Sequence, residues 1–251
     1  MQGGGRSGEA AVLSNRICAL LGISGINNVF IGLGNSPLGK TMNAVRTAVI
    51  SDLGNVLIHF DNEIFFKKLA DLCSFSIEEI ASWAGDRQNL FADFDCGRID
   101  PDGFFQVFRE RLRLSLDQET FFLIYSDIFS VNPVPIGIMK RLSPDVPLIL
   151  LSNTDPVRFG FIRSRFPEVM LFDEYVLSYE VGCMKPDPRI YRRAVHLSGL
   201  PAQRCIFIDD RLENIAGAER IGMRTVFFRK NIDLFAELKG MGLRFQPGET
   251  S

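Results

Sequence analysis

Apolar runs of strand length alternate with stretches in which apolar residues recur every three or four positions. A continuous apolar run that is bounded by turns is typical of a buried parallel strand, and the three-to-four spacing is typical of a helix. The runs predict strands at Thr47–Ser51, Pro147–Ser152, Leu171–Leu177, Cys205–Ile208 and Thr225–Phe228. The helical spacing predicts helices near Pro135–Leu142, Val157–Arg165, Asp187–His196 and Arg211–Ile221.

The alternation of these elements predicts the fold class. Strands that alternate with helices form right-handed crossovers and a parallel sheet covered on both faces. We therefore expect an α/β protein with a Rossmann-like parallel sheet core. Between the first two strands the spacing is helical throughout, as in Phe104, Phe108 and Leu112 behind the cap Asp100. This block predicts an inserted all-helical cap. We expect an extension at 1–46 that is disordered or weakly ordered, the core at 47–60 and 131–251, and the cap at 61–130.

Composition narrows the classes of partner. The 251 residues are 46% hydrophobic and 23% charged, and the net charge of −2 gives no sign of a nucleic-acid partner. The five cysteines are scattered and form no CxxC pair, which favours a reducing, cytoplasmic setting. No apolar run reaches the ~18 residues of a membrane span. We expect a small-molecule partner and no nucleic acid or membrane, and the oligomeric state stays unknown.

One motif near the amino terminus has a competing interpretation. Gly34–Thr41 reads GNSPLGKT and matches the P-loop pattern after an apolar run. A P-loop needs a following helix whose amino terminus faces the phosphates. Only five residues separate Thr41 from the next strand, which is too short for that helix. We therefore expect the chemistry to lie after this segment.

Polar side chains stand where four apolar segments end. Asp52 follows AVIS, Ser152 ends LILLS, Lys185 lies in GCMKPDP, and Asp209 and Asp210 close CIFIDD. Ligands of open α/β sheets bind outside the carboxyl ends of the strands. A carboxylate, a hydroxyl, an ammonium and a carboxylate pair are the parts of a phosphoryl-transfer site. Two adjacent carboxylates repel each other unless a cation lies beside them, and their hard oxygen atoms suit Mg²⁺.

The order and spacing of these motifs, from about Thr47 to Lys230, resemble the haloacid dehalogenase-like (HAD) hydrolase superfamily. The resemblance implies that the first aspartate is the nucleophile and that the hydroxyl and the following backbone amides bind phosphate. It also implies that the lysine offsets charge, that the acidic pair and a backbone carbonyl hold Mg²⁺, and that an asparagine steadies the loop. The residues are Asp52 as nucleophile and metal ligand, Ser152, Asn153, Thr154 and Lys185 for phosphate, Asp210, Asp209 and the Gly54 carbonyl for the metal, and Asn214 for support.

The match departs from most phosphatases of the family at one position. They carry a second aspartate, the general acid and base, two residues after the nucleophile, whereas this chain has Gly54. General acid–base catalysis contributes roughly 10²–10⁴-fold to the rate. A substrate with an easy leaving group, a proton from His59 or Asp61, or low turnover would each fit this departure. The DLGNV motif is similar to that of a subgroup that includes a bacterial glucose-1-phosphate phosphatase and the amino-terminal phosphatase lobe of epoxide hydrolases.

The resemblance therefore implies a Mg²⁺-dependent phosphomonoester hydrolase that acts through an aspartyl-phosphate, on a sugar phosphate or a similar metabolite. The alternatives are a phosphate-binding or regulatory module with low turnover and a 2-haloacid dehalogenase. The dehalogenase is disfavoured because Asp209 and Asp210 would repel an anionic haloacid. A receiver domain is disfavoured because its acidic pair comes first in the chain. We expect several cap residues to meet the substrate: Phe91, Phe94, Asp95, Arg98 and Phe104.

Overall fold

The computed structural model describes residues 46–247, which are built around a sheet of five parallel strands. The strands in chain order are β1 (Ala48–Ser51), β2 (Ile58–Phe60), β3 (Phe129–Val131), β4 (Leu148–Ser152), β5 (Glu174–Leu177), β6 (Cys205–Asp209) and β7 (Arg224–Phe227). The large sheet has the order β5-β4-β1-β6-β7, and all of its neighbours are parallel. Strand β1 therefore lies at the centre, between the strands that end in Ser152 and Asp209.

The central strands are buried on both sides. Side chains of a strand point alternately to opposite faces. Val49 belongs to an apolar cluster that includes Leu150 on one face, whereas Ile50 belongs to a second cluster that includes Phe207 on the other face. Such double burial requires uninterrupted apolar strands, as the sequence has. The predicted fold class, a parallel α/β sheet with helices on both faces, is confirmed.

Eleven α-helices lie in the described residues 46–247, and polar residues or prolines begin most of them. Asp155 and Asp187 accept backbone N–H bonds at the start of helices whose first residues are prolines. The helices are α1 (Asn62–Ala70), α2 (Ile77–Asp86), α3 (Gln88–Asp95), α4 (Pro101–Leu112), α5 (Gln118–Ser126), α6 (Pro133–Lys140), α7 (Pro156–Arg165), α8 (Ser178–Val181), α9 (Pro188–Ser198), α10 (Leu212–Glu219) and α11 (Leu234–Gly240).

Helices α1 to α5 pack around an interior rich in phenylalanine. Phe65, Phe104, Phe108 and Phe121 are all fully buried there. The rings of Phe94 and Phe104 stack with their centroids 4.2 Å apart, and both side chains are fully buried. The expectation that these two residues meet the substrate is therefore wrong, because the helical spacing that predicted the cap cannot tell its interior from its substrate face.

Strands β2 and β3, of three residues each, were not predicted from the sequence. Strand β2 pairs antiparallel with β3, with Phe60 opposite Phe129. Strands this short show no period-two pattern. The structure also contains two helices that were not predicted, the short α8 and α11. The strand predicted at Leu171–Leu177 is shorter in the structure and spans Glu174–Leu177. The helix predicted near Pro135 begins at Pro133, because proline is favoured in a first helical turn.

Several expectations concern other parts of the chain. The amino-terminal extension up to residue 45 and the P-loop-like Gly34–Thr41 lie outside the described residues. In the described part, Cys73, Cys96, Cys183 and Cys205 form no disulfide. Among the helices of residues 46–247, none has the length and apolar character needed to cross a bilayer.

Candidate active site

The Lys185 ammonium joins two of the carboxylates singled out in the sequence. Its Nζ lies 2.7 Å from Asp52 Oδ1 and 2.8 Å from Asp209 Oδ2. It also donates a hydrogen bond to the Leu151 carbonyl at 3.0 Å, and the lysine side chain is only 1% exposed. The carboxyl ends of β1, β4 and β6 therefore converge on one buried cation.

Asp52 directly follows the central strand and is buried. Its Oδ1 also accepts the Leu53 backbone N–H at 2.7 Å. Burial raises the pKa of Asp52 to about 7, Lys185 works against that rise, and the charge of Asp209 adds to it. A carboxyl with this pKa is easily protonated near neutral pH. A cation bound beside it would lower the pKa and favour the ionised form that a nucleophile requires.

The geometry keeps Lys185 charged and fixed. Burial by itself would lower the pKa of Lys185, but the charges of Asp52 and Asp209 outweigh burial and raise it. Asn153 holds the lysine backbone from both sides. Its Nδ2 donates to the Lys185 carbonyl at 3.0 Å, and its Oδ1 accepts the Lys185 N–H at 2.8 Å. The peptide bond between Lys185 and Pro186 is cis.

Asp209 is fully buried, and both of its oxygen atoms are used by the protein. Oδ1 accepts the Arg211 N–H at 2.8 Å and Asn214 Nδ2 at 3.0 Å. Oδ2 accepts Lys185 Nζ at 2.8 Å and Asn214 Nδ2 at 3.1 Å. The Asn214 carbonyl in turn accepts the Tyr191 hydroxyl at 2.9 Å. Asp209 is thus surrounded by donors that fix its orientation toward Lys185.

A divalent cation fits the donor set formed by Asp52, Asp209 and Asp210. Each can offer an oxygen atom, and these atoms lie within 4.8 Å of one another. Asp210 Oδ2 accepts Asn55 Nδ2 at 3.1 Å, which leaves its other oxygen for a ligand. Hard carboxylate oxygen atoms are the ligands that Mg²⁺ prefers. The sequence analysis missed Asn55, whose φ of 54° is a left-handed value that asparagine tolerates.

Some hydroxyl and amide groups at the end of β4 and in the loop after it are available to the candidate phosphate pocket, whereas others are hydrogen-bonded within the protein. Ser152 ends the strand next to β1 and is 3% exposed. Thr154 donates its backbone N–H to Ser178 Oγ at 2.9 Å. The Thr154 amide is therefore committed to the protein and is not available to phosphate, contrary to expectation. The Asn153 side chain is committed in the same way to Lys185.

Sequence comparison identifies the family behind this arrangement. The sequence model of the haloacid dehalogenase-like hydrolases matches residues 46–222. The chain belongs to the haloacid dehalogenase-like hydrolase family. Among curated relatives, it is 26% identical over 200 residues to drimenol cyclase of Aspergillus calidoustus, covering 76% of this chain and 35% of that protein. It is 23% identical over 198 residues to the sesquiterpene phosphatase of Aspergillus oryzae, covering 76% of this chain and 94% of that protein.

Solved HAD structures share the fold. A HAD family enzyme of Bacteroides thetaiotaomicron, in complex with magnesium and inorganic phosphate, aligns with a TM-score of 0.66 and 21% identity over 76% of this chain and 98% of its own. The L-2-haloacid dehalogenase PA0810 aligns with a TM-score of 0.57 and 18% identity over 74% of this chain and 85% of its own. The chain spans about a third of the length of the drimenol cyclase. At these identities the structures show the fold alone.

At Gly54 the HAD site has a phenylalanine ring where an acid side chain would begin. A Cβ atom added to Gly54 would lie 3.0 Å from Cε1 of Phe60, whose side chain is 38% exposed. The two residues suggested above as proton sources lie close by in sequence. His59 is exposed on β2, and Asp61 caps α1 by accepting the Glu63 N–H at 2.8 Å. In the described part of the chain, neither side chain is among the hydrogen-bond or ion-pair partners of Lys185 and Asp52.

A polar cluster joins the helical insert to the HAD core three residues after Ser152. The Tyr125 hydroxyl donates to Asp155 Oδ2 at 2.8 Å, and the Arg158 guanidinium lies 4.0 Å from the centre of the Tyr125 ring. Arg158 Nη2 donates to Asn62 Oδ1 at 2.8 Å. Burial, with a further contribution from Asp155, raises the pKa of Asp95 to about 7. The sequence analysis named only Asp95 here, because the contacts of the others join distant segments.

Proposed function

We propose that this protein is a Mg²⁺-dependent phosphomonoesterase that acts through phospho-Asp52. The observation that carries the proposal is the bridge of the Lys185 ammonium between Asp52 and Asp209, with Asp210 within ligand distance. A buried carboxylate beside a fixed cation and an acidic pair is suited to receive a phosphoryl group. The free cysteines of the described part agree with the cytoplasmic setting that we include in the proposal.

The chain's own groups define the two steps. An Asp52 oxygen attacks phosphorus as the bond between phosphorus and the leaving oxygen breaks, and water then cleaves the aspartyl-phosphate to release inorganic phosphate. Ser152 donates its hydroxyl to a phosphoryl oxygen, together with the Asn153 backbone amide. Lys185 offsets the charge that the phosphoryl oxygen atoms carry in the transition state.

The acidic groups would hold the metal ion. Asp210, Asp52 and the Gly54 carbonyl would be ligands, and Asp209 would orient Lys185 while Asn214 holds Asp209. When bound, Mg²⁺ neutralises phosphoryl charge and aligns the phosphate with its attacker. The assignment to Asp210 rather than Asp209 is supported by the four donor contacts that already occupy the Asp209 oxygen atoms.

The proposal includes a division of labour along the chain. Residues 47–60 and 131–251 form the catalytic core, and residues 61–130 form a cap that excludes water and contacts the organic half of the substrate. The sugar phosphate suggested by the DLGNV resemblance stays a prediction. The relative named sesquiterpene phosphatase points instead to an ester with a hydrocarbon group.

Purified protein and a generic phosphate ester test the function. We expect phosphate release that requires Mg²⁺ and that falls by a factor of at least ~10³ in Asp52→Asn, because the nucleophile is lost. Asp117→Asn is the matched control, since Asp117 is an exposed carboxylate that caps a helix and has no assigned part in the reaction. Release that is independent of Mg²⁺, or unchanged in Asp52→Asn, would reject the proposal.

A low-turnover phosphate-binding module is the second candidate, and the absence of an acid side chain at Gly54 favours it. If the missing acid limits turnover, Gly54→Asp alone would gain little because its Cβ meets the Phe60 ring. The pair Gly54→Asp and Phe60→Ala would then raise the rate. If the pair stays as slow as the wild-type protein, the limit lies elsewhere and the binding module is the better description. A dehalogenase remains disfavoured, because Asp209 and Asp210 would face an anionic haloacid.

A further inference from the structure

A largely apolar cavity of about 210 Å³ lies among the first three helices of the insert. Phe65, Phe66 and Phe91 supply its aromatic walls, Ala81 supplies a small side chain, and Gly85 has none. Apart from the backbone of its own helix and its chain neighbours, no atom of the described side chains lies within 4 Å of a Cβ atom added at Gly85, so there is open space beside this helix. None of these groups is used in the catalytic steps described above.

Two sets of contacts connect the cavity to the catalytic loop. Asn62 lines the cavity, and its Oδ1 accepts Nη2 of Arg158 at 2.8 Å. Phe65, another lining residue, packs its ring 5.2 Å from the ring of Tyr125, whose hydroxyl donates to Asp155. Both routes end in the first turn of α7, and Asp155 is only three residues after Ser152. Three residues span at most about 10 Å, so the backbone of Asp155 lies within about 10 Å of Ser152.

The lining selects against polyhydroxylated groups. Among the lining residues that the structure describes, Asn62 alone has a polar side chain, and its oxygen already has a donor. Sugar hydroxyls placed here would lose water without gaining partners, which is unfavourable. A larger groove of about 430 Å³ on α2 is lined by Glu78, Glu79 and Asp86 among others, and those charges would repel an anionic ester.

We infer that this cavity binds the hydrocarbon part of the substrate, which is then the phosphate monoester of an apolar alcohol. The inference rests on the proposed phosphatase function and replaces the sugar phosphate with a hydrocarbon ester. An apolar cavity of ~150 Å³ accepts benzene, so 210 Å³ has room for the last few carbon atoms of an alkyl chain. Burial of each methylene group strengthens binding roughly fourfold.

A chain-length series tests the inference on the full chain with Mg²⁺. We expect KM to fall on the order of 50-fold from methyl phosphate to n-octyl phosphate, from burial of about three methylene groups. Gly85→Leu fills the cavity and should raise KM for octyl phosphate about tenfold or more while KM for methyl phosphate stays unchanged. Gly137→Leu is the matched control, because Gly137 is also helical with open space at Cβ but lies in α6, outside the lining.

Binding of n-octylphosphonate, which cannot release phosphate, separates this inference from the proposed function. If no ester is hydrolysed but the phosphonate binds in calorimetry and Gly85→Leu weakens it, the phosphatase proposal fails and the cavity assignment stands. If esters are hydrolysed with the same KM at every chain length, or if Gly85→Leu behaves like Gly137→Leu, the cavity assignment is overturned. Loss of the phosphonate's binding in both leucine variants would overturn it as well.

Discussion

Replacement of Lys185 by methionine should destabilise the fold in a way that depends on pH. The change keeps the length of the side chain but leaves Asp52 and Asp209 facing each other without their shared cation. In the wild-type protein the pKa of Asp52 rises from 3.8 to about 7. The native state therefore holds a proton that the unfolded state has lost, and the free energy of unfolding falls from about pH 4 to 7 and then levels off.

The variant should continue to lose stability above pH 7. Lys185 lowers the pKa of Asp52, so its removal raises that pKa further. Each pH unit in the extended window then removes about 1.4 kcal/mol of unfolding free energy for one proton. Removing one partner of a buried ion pair costs about 3–5 kcal/mol. We expect Lys185→Met to lose about 3 kcal/mol of unfolding free energy at pH 7 and about 2 kcal/mol more at pH 8.5.

Urea unfolding at pH 7 and 8.5, without divalent cations, measures both numbers. Lys67→Met is the matched control, because Lys67 pairs with Glu63 at 3.1 Å while both side chains are more than half exposed. Exposed pairs of this kind contribute less than about 1 kcal/mol. If the loss in Lys185→Met equals that in Lys67→Met, or is the same at both pH values, the reasoning about the buried cation is refuted.

Three further predictions concern the contacts around the site. Tyr125→Phe removes the hydroxyl donor of buried Asp155 and should cost about 1–3 kcal/mol in urea unfolding, and a cost below 0.5 kcal/mol would contradict the buried bond. Gly97→Ala should be markedly less stable than Gly182→Ala. Both glycines have positive φ, but of the two only Gly97 would place its new Cβ atom against the Tyr179 carbonyl oxygen, at 2.5 Å. Equal melting temperatures of the two variants would contradict this. Mg²⁺ at 100 times its Kd should stabilise the protein by about 2.7 kcal/mol, and EDTA should reverse the gain; unchanged unfolding would argue against the metal site.

The sequence was informative where one local pattern determines the structure. The run AVIS before Asp52 needs only its apolar character and its length to be recognised as a central strand. The cap helices follow from the helical spacing and from polar N-caps such as Asp100, which accepts the Gly103 N–H at 2.7 Å. The positions of the charged groups at strand ends follow from the parallel topology, since those ends lie at one edge of the sheet.

Contacts between distant segments could not be read from the sequence. The backbone amide of Asn153 was expected to bind phosphate, and that stays a prediction, but the sequence did not indicate that the Asn153 side chain reaches across 32 positions to hold the backbone of Lys185. Asn55 and Asp210 are 155 positions apart. The spacing of Phe104, Phe108 and Leu112 indicated a helix face and left open whether that face points inward or outward. Register and side-chain direction resolve such questions, and both depend on packing.

The pairing of β2 with β3 has a consequence for how the family could diversify. Neighbouring strands lie about 4.8 Å apart, and β2 and β3 form the two-stranded sheet. The chain therefore enters residues 62–126 and leaves them at nearly the same point. An inserted unit whose two ends are adjacent can be replaced by another unit without altering the loops that hold Asp52 and Lys185. Joining a helical cap from another protein at this point would therefore be a direct way to give the same catalytic residues a new substrate selectivity.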